Sequence, residues 1–120
     1  MKTVMMTFFA LMIGALAFSQ SVEYKGTKED IAKAVEKGVF IFAFSESASS
    51  DEINKNAQYY TDYFTVSFND ETKEALIKME DNSEMGRRVI TRFLLSSGVK
   101  SVVLDGEKLT LNDFFEKYLK

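Results

Sequence analysis

Residues 64–79 read Phe64-Thr65-Val66-Ser67-Phe68-Asn69-Asp70-Glu71-Thr72-Lys73-Glu74-Ala75-Leu76-Ile77-Lys78-Met79. Phe64, Val66 and Phe68 alternate with Thr65, Ser67 and Asn69, the period of a strand with one buried face. Ala75, Ile77 and Met79 alternate in the same way with Glu74, Lys78 and Glu80. The polar Asn69-Asp70-Glu71-Thr72 between them favours a turn. The stretch therefore predicts a β-hairpin. The competing reading makes Thr72–Met79 a helix, and the alternation over 74–80 favours the strand.

Helix signals flank this hairpin. Thr27 with Asp30 predicts an N-cap and its N3 partner, with Ile31, Ala34 and Val35 on one face and Gly38 at the end. Ser49 with Glu52 fits a capping box, followed by Ile53, Ala57 and Tyr60 at helical spacing. Ser83 caps the strongest helix, with a stripe of Met85, Val89 and Phe93 widened by Ile90 and Leu94, and Gly98 stops it. Thr110 with Asp113 caps the last helix. Leu109 and Phe114 stand at the spacing of a hydrophobic staple. Leu111, Phe114, Phe115, Tyr118 and Leu119 form its apolar side.

Two further strands fall between the helices. Val39–Ser45 is apolar on both faces, with Phe40, Phe42 and Phe44 on one and Val39, Ile41 and Ala43 on the other. Ser101–Leu104 is the fourth strand, followed by the turn dipeptide Asp105-Gly106. The predicted order is α-β-α-β-β-α-β-α. Its middle, residues 39–104, is the βαββαβ of a ferredoxin-like α+β sandwich with extra N- and C-terminal helices. With 72–79 as a helix the chain would instead be a thioredoxin- or glutaredoxin-like α/β fold without redox cysteines, with residues 102–106 as its late hairpin. A ferredoxin-like sheet carries helices on one side, and here the other side is too apolar to leave bare. A terminal helix or a partner chain is expected to cover it, with Phe114 or Phe115 packing on residues such as Ile41, Val102 or Leu104.

The segment from Phe64 through the helix after Ser83 to Val99-Lys100-Ser101-Val102-Val103-Leu104 resembles a heavy-metal-associated domain in the order of its elements. That resemblance spans a little over half the chain and implies a ferredoxin-like fold. The family's signature is a CxxC loop between the first strand and the first helix. Here that loop is Ser45-Glu46-Ser47-Ala48-Ser49-Ser50. Hydroxyls do not replace thiolates for soft metal ions. The resemblance therefore implies the fold and not the metal, and no ligand is carried over. In the glutaredoxin-like alternative the redox cysteines and the cis-proline are likewise missing.

Composition narrows the chemistry. The 120 residues include no Cys, His, Trp or Pro. Disulfides, thiol nucleophiles, iron–sulfur clusters and imidazole bases are excluded outright. Residues 1–19 read as a secretory signal peptide: Lys2, the apolar run Val4–Phe18, then small residues at Ala15, Ala17 and Ser19. Cleavage is expected before Gln20, with cleavage after Ala17 as second choice. The run is shorter than the roughly 20 residues of a membrane-spanning helix. Residues 20–120 then form one domain. Losing Lys2 leaves 14 basic against 18 acidic residues, a charge of −4. An exported acidic protein is poorly suited to nucleic acid or anionic membranes.

Four groups of residues are candidate sites. The loop bearing Ser45, Glu46, Ser47, Ser49 and Ser50 leaves a strand end and enters a helix N-terminus, where backbone N–H groups can hold a ligand anion. The alternative is that these residues only cap the helix. Arg87, Arg88 and Arg92 share one helix and could grip a partner's acidic surface, or form its solvent face with Glu84 paired to Arg88. Tyr59 and Tyr63, beside Tyr60, could stack on a ligand or pack at the rim of the core. Asp70 with Glu71, and Asp81 with Asn82 and Glu84, lack calcium-loop spacing. No catalytic constellation, metal or cofactor site emerges. The expectation is an exported, periplasmic or secreted, non-enzymatic binding module, acting on an envelope protein or on itself. The alternative is a small-ligand carrier or weak enzyme using the Ser45–Ser50 loop.

Overall fold

In a computed structural model, which describes residues 21–120, each capping pair starts a helix. Thr27 accepts from the Asp30 N–H while Asp30 accepts from the Thr27 N–H, and α1 (Lys28–Lys37) follows. Gly38 ends it in the left-handed conformation that glycine adopts without strain. Ser49 caps α2 (Ser50–Ala57), which runs into a 3₁₀ turn at Gln58–Tyr60. Ser83 caps α3 (Glu84–Ser96). Thr110 caps a last helix, α4, which begins as α over Leu111–Phe114 and widens to π over Phe115–Leu119. The buried stripe of α3 is Val89, Ile90, Phe93 and Leu94, with Gly86 buried at its start, and Met85 lies outside it, 61% exposed.

The strands are β1 (Ser21–Tyr24), β2 (Val39–Ala43), β3 (Phe64–Asn69), β4 (Glu74–Met79), β5 (Ser101–Leu104) and β6 (Glu107–Thr110). They form one six-stranded mixed sheet in the order β3-β4-β2-β1-β5-β6. The fold is α+β. The β3–β4 hairpin forms as the alternation required, in unbroken register from Phe64↔Met79 to Asn69↔Glu74. Residues 74–79 are therefore strand, and the helix reading of that segment is set aside.

Two strands depart from the predicted order. β1 inserts between β2 and β5, antiparallel to the first and parallel to the second. The strands at positions one and four of the expected βαββαβ unit are thus not neighbours. β6 extends the sheet through a two-residue turn in which Asp105 and Gly106 both take positive φ, at 52 and 82°. Such a turn matches the right-handed twist of a hairpin. The expected leader, residues 1–19, and Gln20 lie outside the described residues. Among the described residues no helix is long and apolar enough to cross a membrane.

All four helices sit on one side of the sheet. Their apolar stripes meet Val22, Tyr24, Phe40, Phe42, Phe64, Ile77, Val102, Leu104 and Leu109 in one core. Phe42 meets Tyr24 and Phe114 edge-on at 5.4 and 6.0 Å, and Phe64, Phe93 and Tyr60 form a second aromatic group. Phe114 and Phe115 are buried as expected. They lie on the Phe42 side, however, not on the Ile41 side, so α4 leaves the second face of the sheet uncovered.

Tyr24 adds a pH dependence to this core. Burial of the ring, reinforced by the Asp30 carboxylate, pushes its phenol from 10.0 up to about 12. The unfolded chain releases this proton near pH 10 while the folded protein keeps it. This contribution is intact below about pH 10 and is lost as the pH rises toward 12. The Tm should fall across that window, and Tyr24→Phe should flatten the fall. An equal alkaline slope in Tyr24→Phe would exclude Tyr24 as its source.

Candidate functional site

β2 is apolar at five successive positions, Val39 to Ala43, so pleating must place apolar side chains on both faces. The helices take Phe40 and Phe42. The register places the others. Ile41 lies opposite Leu76, and Leu76 opposite Ser67. Ala43 lies opposite Glu74 on one side and Glu23 on the other, and Glu23 opposite Val103. These side chains share the face that no helix covers. Val39 is 36% and Leu76 39% exposed, and Ile41, Ala43 and Val103 are half-buried.

The result is an apolar centre ringed by polar groups. Lys25 and Glu74 pair across one margin at 3.6 Å. Ser21 and Ser101 join hydroxyl to hydroxyl at 2.7 Å near another. A shallow depression of about 670 Å³ lies over Ile41, Ser67, Asn69, Glu74 and Leu76. A second, of about 320 Å³, lies over Ser21, Glu23, Ala43, Ser45 and Val103. Both open widely to solvent. The surface suits contact with another surface more than enclosure of a small molecule.

The Ser45–Ser50 loop is largely occupied with itself. Ser45 and Ser47 join through their hydroxyls at 2.9 Å, and the Ser49 hydroxyl accepts from the Glu52 N–H. The Ala48 carbonyl accepts from Lys73 Nζ at 3.1 Å. Glu46 and Ser47 are exposed and Ser50 is half-buried. Of the five candidate residues, Ser45 lines the second depression.

The three arginines do not form one patch. Arg87 donates to the carbonyl of Leu119, and to the carbonyl and the side-chain oxygen of Asn82. Asn82 in turn donates to the Val35 carbonyl at 2.8 Å. This chain of bonds ties α3 to α4 and α1, so the guanidinium serves the fold. Arg88 lies over the Phe115 ring at 4.3 Å and pairs with Glu116 at 3.8 Å, replacing the expected partner Glu84. Arg92 is exposed. Of the tyrosines, Tyr63 is half-buried against the core and its carbonyl accepts from the N–H groups of Glu80 and Asp81. Tyr59 stands alone, 76% exposed.

Asp70 is held by Lys73 at 2.9 Å. Among the described residues no group of three or more acidic, His or Cys side chains could hold a metal ion. The open sheet face was foreshadowed by the double apolar alternation of β2. Its extent depends on β1 and β5 lying beside β2, which the spacing of residues along the chain does not reveal. No family model, no curated protein and no solved structure matches the chain.

Proposed function

We propose that the protein is an exported, non-enzymatic binding module that holds a protein partner of the cell envelope on the open face of its sheet. The observation that carries this reading is the helix-free side of β2, where Val39, Ile41 and Leu76 form an apolar strip bounded by the Lys25–Glu74 pair. Monomeric proteins rarely leave such a strip at the centre of a sheet without a use for it. Export rests on the leader-like sequence of residues 1–19. Within the sheet, β2, β3, β4 and β5 keep the relative order of a ferredoxin-like unit, and β2–β4 and β3–β4 are antiparallel. We read the fold as that unit, similar to a heavy-metal-associated domain without its metal loop, widened by β1 and β6.

Photo-crosslinking in the source cell tests the reading. A crosslinking residue replaces Leu76, and in a control replaces Leu95, which is exposed on α3 on the helical side. A discrete protein adduct from position 76 and none from 95, on a chain beginning at Gln20, is the expected result. No adduct at 76, or a chain that keeps Met1 and stays in the cytosol, refutes it.

A further inference from the structure

The sheet has two outer strands, β3 and β6, and they are built differently. β6 has four residues and carries Glu107 and Lys108, charges of the kind that keep an edge from pairing. β3 has six residues, Phe-Thr-Val-Ser-Phe-Asn, with no charge and no proline, and its register with β4 contains no bulge. Neither charge, nor proline, nor a bulge, nor shortness protects this edge.

The direction of its free hydrogen-bonding groups follows from two bonds. Met79 N–H donates to the Gly38 carbonyl toward β2, and Glu80 N–H donates to the Tyr63 carbonyl toward β3. Alternation then turns Thr65, Ser67 and Asn69 toward β4, and the N–H and C=O of Phe64, Val66 and Phe68 outward. Among the described residues these outward groups find no backbone partner beyond β3. The side chains of Val66 and Phe68, on the core side of this edge, remain half-buried.

We propose that β3 pairs antiparallel with β3 of a second copy, about a two-fold axis that runs between the two Val66 residues, perpendicular to the sheet. The three outward residues map onto themselves in this register: Val66 faces Val66, and Phe64 faces Phe68 of the other copy. Each pair exchanges two N–H···O=C bonds. A slip of two residues in either direction leaves Phe64 or Phe68 unpaired. On the core side apolar residues oppose apolar residues, and on the open side Thr65 opposes Ser67, pairs that stabilise neighbouring strands. The chain as a whole is acidic, so an uncharged edge is where two copies meet with least repulsion. This self-matching favours a second copy over a foreign strand. Beyond the ends of the pairing, Asp62 approaches Asp70 of the second copy. Lys73 offsets Asp70, and the remaining repulsion makes the dimer stronger as salt is added. The axis sets the two open faces side by side, yet the pairing stands whether or not those faces hold a partner.

Sedimentation of the purified protein at about 0.15 M salt, up to about 1 mM, reads the association. A monomer–dimer equilibrium tightening with salt is expected. Thr65→Lys/Ser67→Lys places lysine opposite lysine at two exposed positions of the seam, and should be monomeric, with a slightly lower Tm because position 65 also faces Lys78 of β4. Thr65→Glu/Ser67→Glu should also be monomeric. An equimolar mixture of the two should recover the dimer, with the amides of Phe64, Val66 and Phe68 protected from exchange. A wild type that stays monomeric throughout overturns the proposal, as does a dimer indifferent to the lysine pair or a mixture that does not associate. A monomer that instead binds an unrelated extended peptide along β3 assigns the edge to a foreign strand and also overturns it.

Discussion

Phe114→Ala should lower stability by about 3–5 kcal/mol, the cost of emptying a fully buried phenylalanine site. The ring stands edge-on to Phe42 at 6.0 Å and tilted to Tyr118 at 6.2 Å, with β5 and β6 beneath the helix that carries it. That helix is too short to persist alone and is held by this packing. In a domain of roughly 100 residues the loss takes up much of a total stability of about 5–15 kcal/mol. It corresponds to a fall in Tm of at least about 12 °C. Phe114→Leu, which keeps most of the volume, should cost about 1.5 kcal/mol or less. Thermal unfolding followed by circular dichroism checks both. If Phe114→Ala melts like the wild type and loses only self-association or partner capture, the helix is an interaction element and not a wall of the core.

Gly86→Ala should destabilise, although alanine is the better helix former by about 1 kcal/mol. Gly86 is buried in the first turn of α3, where its N–H donates to the capping Ser83 hydroxyl at 3.1 Å. A Cβ there would collide with the carbonyl oxygen of Asp81. That carbonyl cannot simply withdraw, because the Asp81 N–H is anchored to the Tyr63 carbonyl at 3.1 Å. Relieving the overlap means moving either the helix start or the end of β4, at a net cost of about 1–3 kcal/mol. Denaturant midpoints give the comparison, with Ser97→Ala near the other end of α3 as a reference. A stabilised Gly86→Ala would mean that the chain before α3 yields freely and that the close approach does not constrain it.

The parts of the fold visible in the sequence are those whose signals are local. The β3–β4 hairpin announces itself by alternation over more than a dozen residues. Thr27, Ser49, Ser83 and Thr110 mark helix starts because the bond that satisfies the first N–H groups lies within three residues. β1 escaped because Ser21-Val22-Glu23-Tyr24 offers only two apolar residues beside a long apolar leader. Its assignment comes from β2 and β5, far along the chain. β6 escaped because Glu107 and Lys108 are poor strand formers, and Leu109 already had a reading as a staple residue. The turn geometry at Asp105-Gly106 and the cross-strand register overrode that. The apolar excess on β2 was plain, yet its location behind the helices required the strand order. Arg87 looked like surface charge because its acceptors, a carbonyl at Leu119 and the Asn82 side chain, are brought to it only by tertiary packing.

The insertion of β1 also fixes when the sheet can be completed. On one side β1 pairs with β2, twenty residues on, and this contact can form early. On the other it pairs in parallel with β5, Ser21 against Ser101, across a separation of 80 residues. Closing so long a loop costs entropy before any contact repays it, and parallel pairing of distant segments is slow. Until residues 101–110 are available, the middle of the sheet exists only as an unfinished edge at β1. A chain emerging from N- to C-terminus therefore completes its fold last at its own beginning, with the first strand waiting for nearly the whole polypeptide.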